Sequence, residues 1–254
     1  MSKESRVGVS IHRTAAEVKN YRRWIKLVPI GIGIAILILT IGYVVSVLYM
    51  RFGAFTVKVN KFDHNEYALT LSESPNFNSY TSRLNAEIAE SITNIDGKSI
   101  PEWVNNVDGE HNGDNYVAYT FYCSNAGEKT VTYSYDLYIA NMTYEVEKAV
   151  RVRLYVDEKY DEKNPENNSG DYVDYAYART DGGKGPEPGT TAFQNGNTII
   201  KKMIKHFKPG DKTKFTVVIW LEGNDPDCVD KILGGEFKID MAISVVTSED
   251  KTKT

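Results

Sequence analysis

Residues 117–137 read VAYTFYCSNAGEKTVTYSYDL. Val117, Tyr119, Phe121 and Cys123 occupy every second position, and after Asn125-Ala126-Gly127 the alternation resumes at Val131, Tyr133, Tyr135 and Leu137. Period two sends successive side chains to opposite faces of a strand, so each run carries one face suited to a core. Two such runs around a short polar turn predict a β-hairpin. The same alternation recurs at Phe55, Val57 and Val59, at Tyr67, Leu69 and Leu71, and at Val150, Val152 and Leu154. It returns at Phe215, Val217, Ile219 and Leu221, and most cleanly at Phe237, Ile239, Met241, Ile243 and Val245. Strands of this number, rich in Tyr, Val, Thr and Phe, predict an all-β domain, an antiparallel β-sandwich over residues 53–247.

Some stretches interrupt the pattern. Residues 78–100 mix helix formers such as Leu84, Ala86, Glu87 and Ala89 with turns, which predicts a short helix or an irregular excursion. Residues 157–171 (DEKYDEKNPENNSGD) and 180–189 (TDGGKGPEPG) are too polar to bury a core and predict loops. The last residues, 248–254, are equally polar and predict a frayed tail.

Ahead of the β pattern, residues 27–50 (LVPIGIGIAILILTIGYVVSVLYM) contain no charge. A bilayer span needs about 20 apolar residues, and a helix satisfies its own backbone in lipid. The run predicts a single N-terminal transmembrane helix. Its bulky exit, Val47-Leu48-Tyr49-Met50, offers no small-residue cleavage site, so it reads as an uncleaved signal anchor rather than a signal peptide. Residues 1–26 carry seven Lys and Arg against two Glu, a net +5, whereas Arg51 stands alone just beyond the run. The positive-inside rule then predicts a cytoplasmic basic tail and an extracellular domain, with Trp24, Tyr43 and Tyr49 near the two interfaces.

The whole chain carries −4 and residues 1–51 carry +6, which leaves −10 beyond. An acidic ectodomain argues against nucleic acid and anionic lipid as partners. Cys123 and Cys228 are the only cysteines, too few for a disulfide scaffold. They form either one long-range bridge or two free thiols.

Residues 208–246, KPGDKTKFTVVIWLEGNDPDCVDKILGGEFKIDMAISVV, place a Pro-Gly-Asp turn before a strand, then an acidic loop and a glycine leading into the last strand. This arrangement, with the strand, turn and strand of residues 119–136, resembles the TasA and camelysin family of Gram-positive surface and matrix proteins. The resemblance implies a jelly-roll-like sandwich used in extracellular assembly, by fibre subunits in the best-known members. The basic tail and uncleaved anchor depart from that pattern, since a subunit that leaves the membrane to polymerise does not keep its anchor.

Camelysin has been described as a metallopeptidase, but the helical H-E-x-x-H arrangement is absent, and His64, His111 and His206 lie in separate segments. No Gly-x-Ser-x-Gly elbow is present either. Glu222, Asn224, Asp225, Asp227 and Asp230 form the densest set of oxygen ligands and are the candidate calcium site. The competing reading makes Asp227 or Asp230 the cap of a helix starting near Val229. A second oxygen-rich stretch, residues 108–115, has glycines spaced for a tight hairpin. Tyrosine numbers 17, serving either an exposed contact surface or strand packing. These features predict a non-enzymatic, membrane-anchored surface protein that uses its sandwich for envelope or matrix assembly or adhesion, with a protein partner or its own copies. The alternatives are an accessory subunit of a membrane export or conjugation machine, and a metal-dependent peptidase.

Overall fold

The computed structural model describes residues 27–44, 55–59, 68–87, 92–164, 170–179 and 185–246. The basic tail, Trp24, residues 45–50 of the predicted span, His64, Tyr67, Ala89 and residues 247–254 fall outside these. The chain divides into two units, Met1–Arg51 and Phe52–Thr254.

In the first unit, Leu27–Val44 forms helix α1, long and apolar enough to span a membrane, with none of its residues buried. Eighteen residues rise about 27 Å, close to the thickness of a hydrocarbon core. The Thr40 hydroxyl donates to Ile36 O at 2.8 Å, so this polar side chain is satisfied within the helix.

The second unit is built from strands β1 (Phe55–Val59), β2 (Leu69–Ser72), β3 (Arg83–Asn85), β4 (Gly109–Glu110), β5 (Tyr116–Asn125) and β6 (Val131–Met142). They are followed by β7 (Val150–Asp157), β8 (Tyr172–Ala176), β9 (Thr191–Ala192), β10 (Thr198–Phe207), β11 (Lys212–Leu221) and β12 (Phe237–Val245). Among the described residues one sheet runs β10-β6-β12-β1-β3 and the other β2-β5-β11-β7-β8-β9, with β4 beside β5. Both sheets are mixed rather than purely antiparallel. β1 pairs parallel with β12, Phe55 opposite Ile239, and β8 pairs parallel with β9.

The expected hairpin of residues 117–137 does not form, because β5 and β6 belong to different sheets. Asn125 turns the chain out of the plane of its sheet. Its buried amide nitrogen donates to Lys129 O and Phe207 O, each at 2.9 Å, while its Oδ1 accepts Gly127 N–H at 3.0 Å. The two alternating faces therefore meet across the core instead of lying side by side. Tyr135 of β6 packs edge-on against Phe215 of β11 at 5.3 Å, and Tyr133 OH donates to Thr213 Oγ1 at 2.7 Å.

Most of the expected core positions are inside, while Val59, Leu221 and Phe237 are only half-buried against the core. Phe55, Val57, Leu69, Leu71, Phe121, Leu137, Val152, Val217, Ile239, Met241 and Ile243 all belong to one buried cluster drawn from both sheets. Every residue of β5 is buried, so the outer face of this sheet is covered as well. Ile100 and Val104, from a segment with two 3-10 turns (Gly97–Ser99 and Glu102–Asn106), lie on Tyr116, Ala118, Tyr155, Val218 and Trp220 as a second core. Residues 78–87, which carry β3 at the edge of the first sheet, and residues 92–100, which carry a 3-10 turn, are thus irregular and contain no α-helix.

Candidate functional site

The acidic loop after β11 does not converge on one point. Asp225 lies under the sheet, where one carboxylate oxygen pairs with Arg151 Nη2 of β7 and the other accepts Asp227 N–H at 2.7 Å. Glu222 accepts Trp220 Nε1–H at 3.0 Å and Gly97 N–H at 3.1 Å, tying the 3-10 cover to the end of β11. Its other oxygen accepts Asn224 N–H at 3.3 Å. Asp230 opens a single 3-10 turn, Asp230–Ile232, whose cap position is held by Val229 with no side-chain cap bond. The helix expected to be capped by Asp227 or Asp230 is therefore replaced by one uncapped turn. Among the described residues no group of three His, Cys, Asp or Glu side chains is gathered around a point that would hold a metal ion.

What the loop does build is a buried charge clamp. Arg151 is 4 % exposed, Asp225 6 % and Glu187 7 %, with Glu187 Oε2 at 3.9 Å from the Arg151 guanidinium. One cation thus pins two loops, residues 185–190 and 222–228, to β7. The signal for it lay in the strand VRVRLYV, where Arg151 and Arg153 occupy the face opposite Val150, Val152 and Leu154. Charges alternating with a core face on a strand covered on both sides require buried partners. Arg153 finds Asp174 of β8 in a two-pronged contact, 2.7 Å and 3.0 Å, with its guanidinium 3.9 Å from the Tyr172 ring centre.

A second polar cluster occupies the other end of the same covered face. Tyr122, Lys214 and Asp157 form one row across β5, β11 and β7. Tyr122 OH donates to Asp108 Oδ1 at 2.5 Å, and Tyr160 leans on the Tyr122 ring at 5.0 Å. Lys214 Nζ donates to Asn105 O, and Thr216 Oγ1 to Asn105 Oδ1 at 2.8 Å, so Asn105 rivets the cover to β11. Burial pulls the Lys214 ammonium below its ordinary range. Burial, reinforced by Asp108, pushes the Tyr122 phenol well up, and burial reinforced by Glu73 does the same to Tyr119. Beyond this cluster, residues 159–163 and 210–212 line an open cleft of about 640 Å³. It is lined by charge of both signs, and its Lys212 is already engaged by Glu162 at 2.8 Å.

The remaining candidates are dispersed. Cys123 is buried in the core and free, and burial pushes its thiol up; Cys228 is free and half-buried. Both ring nitrogens of His111 face backbone carbonyls, Gly109 O at 2.9 Å and Val104 O at 2.8 Å, whereas His206 is exposed on β10. Residues 108–115 do form the expected hairpin, β4 pairing with β5. Gly113 is required there, since a Cβ would lie 2.2 Å from the Tyr116 ring. Tyrosine serves packing more than display, with Tyr116, Tyr119, Tyr122, Tyr133, Tyr135, Tyr155 and Tyr175 buried and Tyr80, Tyr144 and Tyr172 exposed. Comparison with protein-family models, curated proteins and solved structures finds no match.

Proposed function

We propose that this chain is a single-pass membrane protein that displays a jelly-roll-like β-sandwich outside the cell, for non-enzymatic envelope or matrix assembly or adhesion, in the manner of the TasA and camelysin family it resembles. The observation that carries the proposal is α1, a fully unburied apolar helix of 18 residues ahead of a two-sheet unit with its own core. An apolar helix that buries none of its surface in protein is stable where lipid surrounds it. The charge step, +5 before the helix against one arginine just after it, supports an amino terminus in the cytoplasm and the two-sheet unit outside. The paired charges support a structural use, because buried Arg151, Arg153 and Asp225 and half-buried Glu222 each hold one segment to another.

Labelling of single introduced cysteines in intact cells tests the topology. A cysteine at Ser5 is expected to be protected and one at Gly170 to react with an impermeant reagent. Labelling at Ser5 would reverse the orientation. Purification from solubilised membranes tests the role. Copies of the chain itself or a surface partner are expected, and a stoichiometric set of membrane subunits would favour the export-machine alternative.

A further inference from the structure

Asn-Gly occurs twice in this chain, at Asn112-Gly113 and at Asn195-Gly196. The pair carries its own chemistry. Glycine has no side chain to shield its nitrogen and a backbone free to turn, so that nitrogen reaches the preceding asparagine Cγ and closes a five-membered ring. The structure separates the two pairs. In the first, Gly113 N–H donates to Tyr116 O at 3.0 Å, so the attacking nitrogen is already engaged. The Asn112 side chain is held at both ends, its Oδ1 accepting Ala118 N–H at 3.0 Å and its Nδ2 donating to Glu110.

Asn195 and Gly196 stand exposed where the chain passes from β9 in one sheet to β10 in the other. Among the described residues neither the Gly196 N–H nor Asn195 Nδ2 makes a hydrogen bond, and a Cβ on Gly196 would have nothing within 4 Å. Asn195 Oδ1, by contrast, accepts two backbone N–H groups, from Asn197 at 3.1 Å and Thr198 at 2.8 Å. Attack on Cγ develops negative charge on that oxygen, and donors already aimed at it lower the barrier. We propose that Asn195 is a self-modification site that cyclises on Gly196 and, in its isoaspartyl form, uncaps the outer edge of β10. The Gly196 nitrogen bonds to Cγ as its proton passes to solvent, the Cγ–Nδ2 bond breaks, and Nδ2 leaves as ammonia. Water then opens the succinimide at either carbonyl, leaving an aspartyl or an isoaspartyl residue at 195. The net change consumes one water and releases one ammonia, with no redox partner. The aspartyl product keeps an oxygen facing the same two N–H groups. The isoaspartyl product lengthens the main chain by a methylene next to Gln194, whose side chain accepts Lys201 N–H at 3.0 Å and donates to Lys201 O at 3.4 Å. β10 is the outermost strand of its sheet, so losing that grip leaves strand backbone unpaired at the edge.

The test ages the full chain in detergent at mildly alkaline pH and follows residues 112 and 195 by peptide mass spectrometry, with isoaspartate methyltransferase labelling to tell the two products apart. Residue 195 is expected to convert severalfold faster than 112 while the chain is folded, and urea is expected to bring the two rates together. Gly196→Ala is expected to slow conversion at 195 severalfold with no loss of stability, since the added Cβ meets open space and the position is not left-handed. Hydrogen exchange at the Lys201 amide is expected to quicken severalfold in chains carrying the isoaspartyl product and to stay slow in aged Gly196→Ala. Conversion at 112 as fast as at 195 in the folded chain overturns the assignment of the site, as does a rate at 195 indifferent to Gly196→Ala. Unchanged exchange at Lys201 in isoaspartyl chains overturns the uncapping.

Discussion

Replacing Asp225 by Asn separates the clamp from the metal reading of the same loop. The new side-chain amide would still accept the Asp227 N–H but would leave the Arg151 guanidinium, 5 % exposed at its side chain, without its nearest counter-charge. Breaking a buried ion pair from one side costs about 3–5 kcal/mol, because the remaining charge stays desolvated. Glu187 at 3.9 Å compensates in part, which places the expected loss near 3 kcal/mol. At roughly 2–4 °C per kcal/mol for a domain of this size, the midpoint falls by about 6–12 °C. Circular dichroism melts of the detergent-solubilised chain, with millimolar calcium and with chelator, measure it. The loss is expected to be the same in both, and Arg151→Met combined with Asp225→Leu is expected to recover part of it. A loss below ~1 kcal/mol would refute the clamp. A calcium-dependent stabilisation of about 2.7 kcal/mol at a hundredfold excess, abolished by Asp225→Asn, would restore the metal site.

Ile219→Ala on the inner face and Trp220→Ala on the outer face of β11 are each expected to cost several kcal/mol, about 2–5 and 3–5, because both faces are covered. A Trp220 cost below ~1 kcal/mol would show that the 3-10 segment does not close over it. Asn125→Ala removes three hydrogen bonds, two of them buried, from the turn between sheets and is expected to destabilise by at least ~2 kcal/mol, measured by urea denaturation, with Asn125→Asp no rescue. Stability is expected to fall steeply above pH ~10. Tyr119, Tyr122, Tyr133 and Tyr135 hold their protons longer folded than unfolded, each removing about 1.4 kcal/mol per pH unit above that point. Lys214, whose folded pKa is depressed, works in the opposite sense as pH rises toward 10.5, but it is one group against four. Tyrosinate absorbance that rises gradually near pH 10 without loss of β signal would contradict this.

The apolar helix, the strands and their inward faces were legible because they depend on short-range periodicity. Phe215, Val217 and Ile219 need only alternate to identify their core side. Two local signals pointed further than period two alone. The off-phase Val218 and Trp220 in FTVVIWL mark a strand covered on both faces, and the arginines in VRVRLYV mark buried charge seeking a partner. β10 was hidden because TIIKKMIKHF, an edge strand with exposed lysines, has no clean alternation to read. Only the tertiary structure decided that β5 and β6 part into opposite sheets. A short turn permits either a hairpin or an arch, and the bond from Asn125 to Phe207 O, 82 residues away, settles the choice. It likewise decided that Asp225 faces Arg151 rather than its own acidic neighbours, since that contact spans 74 residues. Periodicity determines which way a side chain points relative to its own strand; which charge or sheet it meets is set by how distant strands stack, and no local pattern encodes that.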